Sequence, residues 1–214
     1  MSQRLLMYPA SEYPGVGRDD PIRQYARPIF GRLYRRRVEM CLNELTGGGH
    51  VLEVGFGSGV AFRNLARKYR RISGLDLGVD LEVVSGFWEA KGVEVDLRSG
   101  SVLDMPFRDR SFDAVLLISI LEHLRPGELS RAFAEVKRVL RPGGQVVFGV
   151  PIDRWTTRLG FLALGYDIRK HHFSTERQVR AAAEDALIPV RFQRLTLPLG
   201  ISIAVYQVGS LLGP

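Results

Sequence analysis

Hydrophobic residues along this chain follow two alternating spacings. Short apolar runs, typical of buried strands in a parallel sheet, alternate with segments whose apolar positions recur every three or four residues, as in amphipathic helices. The predicted strands are 51–54, 71–76, 93–98, 112–119 and 145–150. The predicted helices are 30–45, 60–69, 81–91, 128–140 and 175–186, with Ser174 as the expected N-cap of the last one.

The chain closes with two further predicted strands, 190–197 and 201–208, joined by the turn Pro198-Leu199-Gly200. This order predicts an α/β fold, a mostly parallel sheet completed by an antiparallel hairpin. Residues 1–21 are rich in Pro, Gly and Tyr, and we interpret them as a loose arm or lid. We therefore divide the chain into residues 1–45, an arm and basic helix on the lid or substrate side, and one domain, residues 46–214.

Composition bounds the class and the compartment. A length of 214 residues suits one domain, and the net charge of +7 admits an anionic partner. Of the 30 basic residues 26 are Arg, which suits phosphate contacts but equally fits a compositional bias of the surface. A single cysteine, Cys41, excludes an internal disulfide, and the chain shows neither a secretory leader pattern nor a long apolar run. We expect a cytoplasmic protein.

Candidate chemistry follows the strand ends. The first strand leads through Glu53 into three alternate glycines, Gly55, Gly57 and Gly59, which let a ligand approach the backbone. Asp76 ends the second strand, where a carboxylate can accept both hydroxyls of a ribose. Three more features accompany later strands: Gly100–Phe107, Ser119–Leu124 and the turn Arg141-Pro142-Gly143-Gly144.

Taken in order, these motifs resemble the class I S-adenosylmethionine-dependent methyltransferases, and among them the ubiquinone and menaquinone biosynthesis branch. The matching segments are VLEVGFGSG, GLDLG, GSVLDMPF with SFDAVLLIS, LEHL, and LRPGGQVVFGVP. The resemblance covers about residues 48–208. It implies a Rossmann-like, mostly parallel seven-stranded sheet with helices on both faces. It also implies S-adenosyl-L-methionine as cofactor and S-adenosyl-L-homocysteine as product.

The resemblance also implies residue roles. The residues implied to bind the cofactor are Glu53 for its ammonium group, Gly55, Gly57, Ser58 and Gly59 under its methionine part, Asp76 for the ribose, Leu77, Ser101 and Val102 for the adenine, and Ser119 near the amino group. Two positions depart from the family pattern. Ser101 stands where the family often has Asp, and Phe56 stands where it often has Cys, so we expect Phe56 to narrow the pocket.

Other interpretations of these residues were weighed. A dinucleotide-binding Gly-x-Gly-x-x-Gly loop would place Val60 at its third glycine, so the methyltransferase interpretation is favoured. For a hydroxyl acceptor, His123, His171 and His172 are the candidate catalytic bases, although a lone histidine is more often structural. We predict no metal site from the sequence.

The acceptor is expected to be a small molecule or lipid-like. The Asn/Asp-Pro-Pro-Tyr/Phe motif of base-amine methylation is replaced by Ser119-Ile120-Leu121-Glu122, so nucleic acid is disfavoured. The arginines of helix 30–45 and the apolar segment 155–166 admit peripheral contact with an anionic membrane, but a solvated basic face is favoured. The alternatives are an RNA or protein methyltransferase that uses the basic face, and a non-catalytic S-adenosylmethionine-binding module. A monomer or a homodimer fits equally.

Overall fold

The computed structural model describes residues 3–14, 20–28, 30–152, 172–199 and 201–214. His171 and the segment 155–166 lie outside the described residues. The strands are β1 (Gly48–Val54), β2 (Tyr69–Asp76), β3 (Asp96–Ser99), β4 (Phe112–Ile118), β5 (Leu140–Pro151), β6 (Ile188–Leu199) and β7 (Ile201–Leu212). The helices are α1 (Ile22–Tyr25), α2 (Phe30–Glu44), α3 (Phe62–Leu65), α4 (Leu81–Ala90), α5 (Pro126–Val139) and α6 (Glu176–Ala186), with a short 3₁₀ turn at Leu121–His123.

The strands form one seven-stranded sheet in the order β3-β2-β1-β4-β5-β7-β6. The first five strands are mutually parallel, whereas β7 runs antiparallel to both β5 and β6. This is the predicted parallel sheet with its closing hairpin, and the predicted fold class is confirmed. From β1 the chain builds the sheet toward β2 and β3 on one side, and from β4 it builds the sheet toward β5 on the other side. Open α/β sheets bind ligands at the carboxyl ends of the strands where this direction reverses, which here is the β1–β4 pair.

Each face of the sheet is covered by its own apolar layer. Val51 of β1 packs with Val38 of α2 and Trp88 of α4, so α2, α3 and α4 cover one face. Leu52, the next residue, packs with Phe133 of α5 and Val179 of α6 on the other face. Side chains that alternate along a strand thus fill both layers, which explains why the central strands read as continuous apolar runs. No helix in the described parts of the chain is both long and apolar enough to cross the bilayer.

Helix 60–69 is where the prediction of secondary structure was most wrong. Only Phe62–Leu65 is helical, and Tyr69 already begins β2. The Tyr69 side chain is buried, and its hydroxyl accepts a hydrogen bond from the Gly47 amide at 3.3 Å. The chain must therefore leave the helix early to place this ring beneath the first strand. Apolar periodicity alone cannot show this requirement.

Smaller boundary errors have local causes. Thr175, not Ser174, is the N-cap of α6, and it forms a capping box with Gln178. The Ser174 hydroxyl instead donates to the Leu124 carbonyl at 2.6 Å. Strand β3 begins at Asp96, since the Val93 amide still bonds the last turn of α4. The predicted turn at 141–144 lies where the pairing of β4 with β5 shifts register.

The described arm residues 3–14 are firmly attached, contrary to the expectation of a loose arm. The Leu5 amide donates to the Glu39 carboxylate of α2 at 3.0 Å. The Asn64 side chain accepts from the Leu6 amide at 2.8 Å and donates to the Arg4 carbonyl at 2.9 Å. Tyr13 is buried among the aromatic side chains of α4. These contacts make the arm part of the helical layer on this face of the sheet.

Candidate active site

The glycine loop after β1 has a backbone that only glycine adopts easily. Gly55, Gly57 and Gly59 have φ values of +70°, +54° and +74°. A Cβ atom on Gly59 would lie 2.4 Å from the Phe62 ring and 2.6 Å from Trp88 Nε1. The Trp88 indole donates to the Ser58 carbonyl at 3.0 Å. The loop is therefore fixed from below by packed aromatic residues, and its glycines leave room for a ligand to approach the backbone.

Two carboxylates hold the loop amides from above. Asp76, at the end of β2, accepts from the Gly57 amide at 3.0 Å and from the Gly78 amide at 3.1 Å. Asp20, from the segment before α1, accepts from the Ser58 amide at 2.7 Å. Burial raises the pKa of Asp20, and the nearby Asp76 charge adds to the effect. Asp20 was not predicted from the sequence, because no local motif connects it with a loop far along the chain.

Glu53 lies beneath the loop and is 3% exposed. Its Oε2 atom is buried and has no hydrogen-bond partner among the described residues. Burial raises the pKa of Glu53 to about 8, and the Asp76 carboxylate raises it further. A buried carboxylate without a partner is unfavourable unless a cation binds there or the group stays protonated. In the structure Asp76, rather than Glu53, holds the glycine loop.

The remaining residues predicted on this side occupy the adjoining strand ends. Leu77 is 74% exposed and lies directly after Asp76, so its side chain is open to a planar ligand. The Ser101 hydroxyl accepts from the Leu103 amide at 3.1 Å, and Val102 is buried in the core. Phe56 does not narrow the pocket, contrary to expectation: it is buried and packs against Phe62 with ring centroids 5.5 Å apart. We call Glu53–Gly59 and Asp76–Gly78 the β1–β2 edge.

A second group of side chains surrounds the carboxyl end of β4. Ser119 has a φ of +57°, a left-handed conformation that costs about 1–2 kcal/mol for a residue with a Cβ. Its hydroxyl bonds the Tyr206 hydroxyl of β7 at 3.0 Å and accepts from Arg37 Nη1 of α2 at 3.4 Å. Strain of this kind in a non-glycine residue is often found at functional sites.

Arg37 enters this group from α2, although the sequence suggested only a basic outer face for that helix. Its guanidinium lies 4.0 Å from the centroid of the Tyr34 ring and 5.2 Å from that of Tyr206. Its Nε atom is buried and has no hydrogen-bond partner among the described residues. A planar donor held between two aromatic rings, with donor capacity to spare, is suited to bind a carboxylate or phosphate.

Glu122 and two of the three predicted histidines adjoin Ser119. Glu122 is 2% exposed, and burial raises the pKa of its carboxyl to about 8, against backbone hydrogen bonding and the Arg37 charge, which lower it. The His123 and His172 rings meet nearly at right angles with their centroids 5.2 Å apart. The third, His171, lies outside the described residues. We call Ser119–His123, Arg37, His172 and Tyr206 the β4–β5 edge.

One predicted feature lies elsewhere. The turn Arg141–Gly144 lies in the first residues of β5, at the amino end of the parallel strands and opposite the ligand edge. Arg141 there pairs with Asp113, whose carboxylate also accepts from the Gly49 amide at 2.8 Å and the His50 amide at 2.7 Å. This turn stabilises the base of the sheet, and we no longer count it as part of the site.

The two edges together suit a ligand that carries one positive and one negative group. The β1–β2 edge offers a buried carboxylate to a cation and a second carboxylate to hydroxyl groups, and the β4–β5 edge offers a guanidinium to an anion. Such a distribution fits an amino acid joined to a nucleoside. Fold and site together are those of an open α/β domain with a candidate ligand site at the carboxyl ends of its parallel strands.

Comparisons with known proteins agree with this class. Residues 52–148 match the family model described as a methyltransferase domain. Demethylmenaquinone methyltransferase of Tropheryma whipplei is 31% identical over 52% of this chain and 46% of its own length. Ubiquinone biosynthesis O-methyltransferase of Xanthomonas axonopodis is 36% identical over 46% of this chain and 41% of its own length. Residues 52–148, a little under half of the chain, are thus similar to a methyltransferase domain, and the chain spans less than half the length of these two relatives.

A solved structure extends the likeness in fold to nearly the whole chain. Geranyl diphosphate C-methyltransferase of Streptomyces coelicolor superposes with a TM-score of 0.70 over 94% of this chain and 90% of its own. Its sequence identity to this chain is 16%, so the similarity concerns the fold. The sheet, its closing hairpin and the helices on both faces are therefore those of the class I methyltransferases.

Proposed function

We propose that this protein transfers a methyl group from S-adenosylmethionine to a small-molecule acceptor. The observation that carries the proposal is the β1–β2 edge: a left-handed glycine loop whose Gly57 amide bonds Asp76, above a buried Glu53 without a hydrogen-bond partner among the described residues. Each of these groups has a counterpart in the cofactor: the glycine loop would face its methionine part, Asp76 its ribose hydroxyls and Glu53 its ammonium group.

The residues present fit the cofactor. Asp76 uses two lone pairs for the Gly57 and Gly78 amides, and an ionised carboxylate has about four, so it can also accept from two ribose hydroxyls. Glu53 would hold the ammonium group, and Leu77, Ser101 and Val102 would border the adenine. Ser119 would adjoin the methionine part. When bound, the cofactor supplies an activated methyl group on a sulfonium centre.

Arg37 would bind the negatively charged end of the bound cofactor. Its guanidinium donates to the Ser119 hydroxyl at 3.4 Å, so it lies at the end of β4, next to the strand that carries Glu53. A carboxylate there would satisfy the buried Nε atom. Glu53 and Arg37 would then hold opposite charges of one amino acid group and fix its orientation. Alignment of donor and acceptor is the main contribution an enzyme makes to such a displacement.

For a hydroxyl acceptor, His123 and His172 are the side chains we propose to act on the acceptor proton. They lie together beside Ser119, on the side of the site away from Asp76, and Phe173 next to His172 is 52% exposed. His171 stays a candidate from the sequence. The two relatives above are named for demethylmenaquinone and for ubiquinone biosynthesis, which supports an acceptor of the quinone type. We propose an acceptor of that size for this chain.

Binding of S-adenosylhomocysteine, measured by isothermal calorimetry, tests the cofactor assignment. Asp76→Ala should weaken it by about 100-fold or more, because each hydrogen bond to a charged group contributes about 1.5–3 kcal/mol. Asp96→Ala is the matched control: this carboxylate is 53% exposed on neighbouring β3, where it pairs with Arg98 at 3.2 Å and accepts from the Ser73 hydroxyl at 3.4 Å. Equal affinity in the two variants would show that the ribose assignment is wrong.

The acceptor class needs a separate experiment. The protein is incubated with methyl-labelled cofactor and a fractionated cell extract. Label should enter the small-molecule or lipid fraction, and the Asp76→Ala variant should abolish it. Label in RNA or protein would replace our acceptor assignment, and cofactor binding without any labelled product would favour a non-catalytic module.

A further inference from the structure

Three potential metal ligands meet at the β4–β5 edge. Glu122, His123 and His172 each offer one ligand atom, and these atoms all lie within 4.8 Å of one another. The two imidazole rings are nearly perpendicular, with centroids 5.2 Å apart. The three side chains therefore converge on one small volume beside Ser119.

The backbone holds these residues together across a long separation in the sequence. The Glu122 carbonyl accepts from the Phe173 amide at 2.8 Å and from the Ser174 amide at 3.2 Å. The Ser174 hydroxyl donates to the Leu124 carbonyl at 2.6 Å, on the other side of His123. The two residues that follow His172 are thus attached to the 3₁₀ turn and to Leu124 by three hydrogen bonds. Tertiary hydrogen bonds therefore hold the cluster together, because they join the segment that precedes α6 to the turn that follows β4.

Glu122 supplies a second and independent observation. Its side chain is 2% exposed, and its Oε2 atom has no hydrogen-bond partner among the described residues. A buried carboxylate oxygen without a partner is costly, and a bound cation satisfies it. Among the other described carboxylates only Glu53, on the other edge, has such an oxygen, whereas Asp76 and Asp20 accept backbone amides instead.

We propose that Glu122, His123 and His172 form a binding site for a divalent transition-metal ion of the zinc, cobalt(II) or iron(II) class. Two imidazoles and one carboxylate suit these ions, whereas magnesium and calcium prefer oxygen ligands alone. Ligand atoms around a tetrahedral zinc ion lie about 3.3 Å apart, since each bond is about 2.0–2.1 Å. Side-chain rotation can close the remaining distance from 4.8 Å.

Three protein ligands leave a coordination position open, as in catalytic zinc sites. An acceptor hydroxyl bound there would lose its proton to solvent water more easily, because the ion acts as a Lewis acid and stabilises the resulting oxyanion. A metal-bound imidazole nitrogen cannot accept a proton, so this role would replace that of His123 and His172 as free bases. This last step rests on the proposed methyl transfer, whereas the metal site itself does not.

Cobalt(II) is the probe for the site. Protein without a polyhistidine tag is freed of metal with a chelator and titrated with Co²⁺, and the visible absorption of the ion is followed. One Co²⁺ should bind per chain, and Zn²⁺ should displace it. His172→Ala and Glu122→Gln should each weaken binding by at least about 100-fold, since even the loss of an outer partner costs 10–100-fold.

His50→Ala is the matched control, because it removes a histidine that lies on β1 beside Ser73, outside the cluster. It should bind Co²⁺ as the unmodified protein does, and circular dichroism should show that every variant is folded. Failure of the unmodified protein to bind Co²⁺, or equal binding by His172→Ala and His50→Ala, would overturn the proposal. If the protein bound S-adenosylhomocysteine but not Co²⁺, the metal site alone would be refuted. If it bound Co²⁺ but not S-adenosylhomocysteine, the cofactor assignment alone would be refuted.

Discussion

The β1–β2 edge and the β4–β5 edge serve one site but are built differently. The β1–β2 edge is made mainly of backbone from one short stretch, the loop Gly55–Gly59, with Glu53 before it and Asp76 on the next strand. The β4–β5 edge is made of side chains from α2, the turn after β4, the segment before α6, and β7. One edge depends on local conformation, and the other depends on the tertiary fold.

Because the two edges are built differently, they should tolerate amino-acid substitution to different degrees. A backbone cradle tolerates few substitutions, because its geometry requires positive φ at three positions. A side-chain pocket can change one residue at a time without altering the strands that carry it. We therefore expect the β1–β2 edge to recognise the common cofactor, and the β4–β5 edge to determine the acceptor and its activation.

The largest expected effect breaks the β1–β2 edge at its base. Gly59→Ala should destabilise the protein by about 3 kcal/mol, since a left-handed alanine costs about 1–2 kcal/mol and overpacking costs about 1–3 kcal/mol. The added methyl would meet the buried Phe62 and Trp88 side chains at 2.4 and 2.6 Å. Urea denaturation measures the change in the free energy of unfolding.

Gly86→Ala is the control for this substitution. Gly86 lies within α4, and an added Cβ there would meet nothing within 4 Å. Its replacement should stabilise the protein by about 0.5–1 kcal/mol, the helix preference for Ala over Gly. If both variants shifted stability by the same amount, the packing account of the glycine loop would be wrong.

The next effect concerns the charge of Glu53. Its pKa of about 8 means that the folded protein holds a proton there between its ordinary pKa of 4.5 and pH 8. Because the folded pKa lies above the unfolded one, this group contributes less to stability as pH rises through that window. A bound ammonium group favours the ionised form instead, so cofactor affinity should rise with pH.

Calorimetry of S-adenosylhomocysteine between pH 6 and pH 8 tests this coupling. Affinity should increase by up to about tenfold per pH unit, and Glu53→Gln should remove most of the increase. In the unmodified protein, ionisation of Glu53 should lower the free energy of unfolding between pH 6 and pH 8, and this decrease should be absent from Glu53→Gln. A pH dependence that persists unchanged in Glu53→Gln would assign the titration to another group.

The same contrast explains what the sequence predicts and what it does not. The β1–β2 edge follows from contiguous motifs, since Glu53, the glycines and Asp76 lie at strand ends that apolar patterning identifies. The sheet, its hairpin and most helices follow from periodicity for the same reason. Helix 60–69 fails because burial of Tyr69 at the start of β2 ends the helix, a requirement set by tertiary packing.

The β4–β5 edge could not be assembled from the sequence. Arg37 lies among the arginines of an amphipathic helix, and its burial and its tertiary contacts with Tyr206 and Ser119 distinguish it from the exposed Arg36. His172 meets His123 because the next two residues, Phe173 and Ser174, bond the Glu122 carbonyl, and no local pattern encodes this contact. For Asp20, too, long-range contact alone reveals the role, since it bonds the Ser58 amide from the arm side.

A smaller effect is expected at Arg37, and it would sharpen the division between the edges. Arg37→Lys keeps the charge but loses the planar donor, so binding of S-adenosylhomocysteine should weaken by about tenfold, or about 1.4 kcal/mol. Binding of 5′-methylthioadenosine, which lacks the amino acid group, should not change. Arg36→Lys is the control, since Arg36 lies at the surface of the same helix with a 49% exposed side chain. An equal loss for both ligands would place Arg37 outside the recognition of the carboxylate.

The smallest effect separates stability from binding at the β4–β5 edge. Tyr206→Phe removes one hydroxyl that bonds Ser119 at 3.0 Å, so it should lower the free energy of unfolding by about 1 kcal/mol. Tyr69→Phe removes a comparable bond to the Gly47 amide at the amino end of the sheet and should lower stability by a similar amount. Only Tyr206→Phe should also weaken binding of S-adenosylhomocysteine, by about threefold, because Ser119 then orients Arg37 less well. If both variants lost stability equally and neither weakened binding of S-adenosylhomocysteine, Tyr206 would contribute to the fold alone and would not belong to the β4–β5 edge.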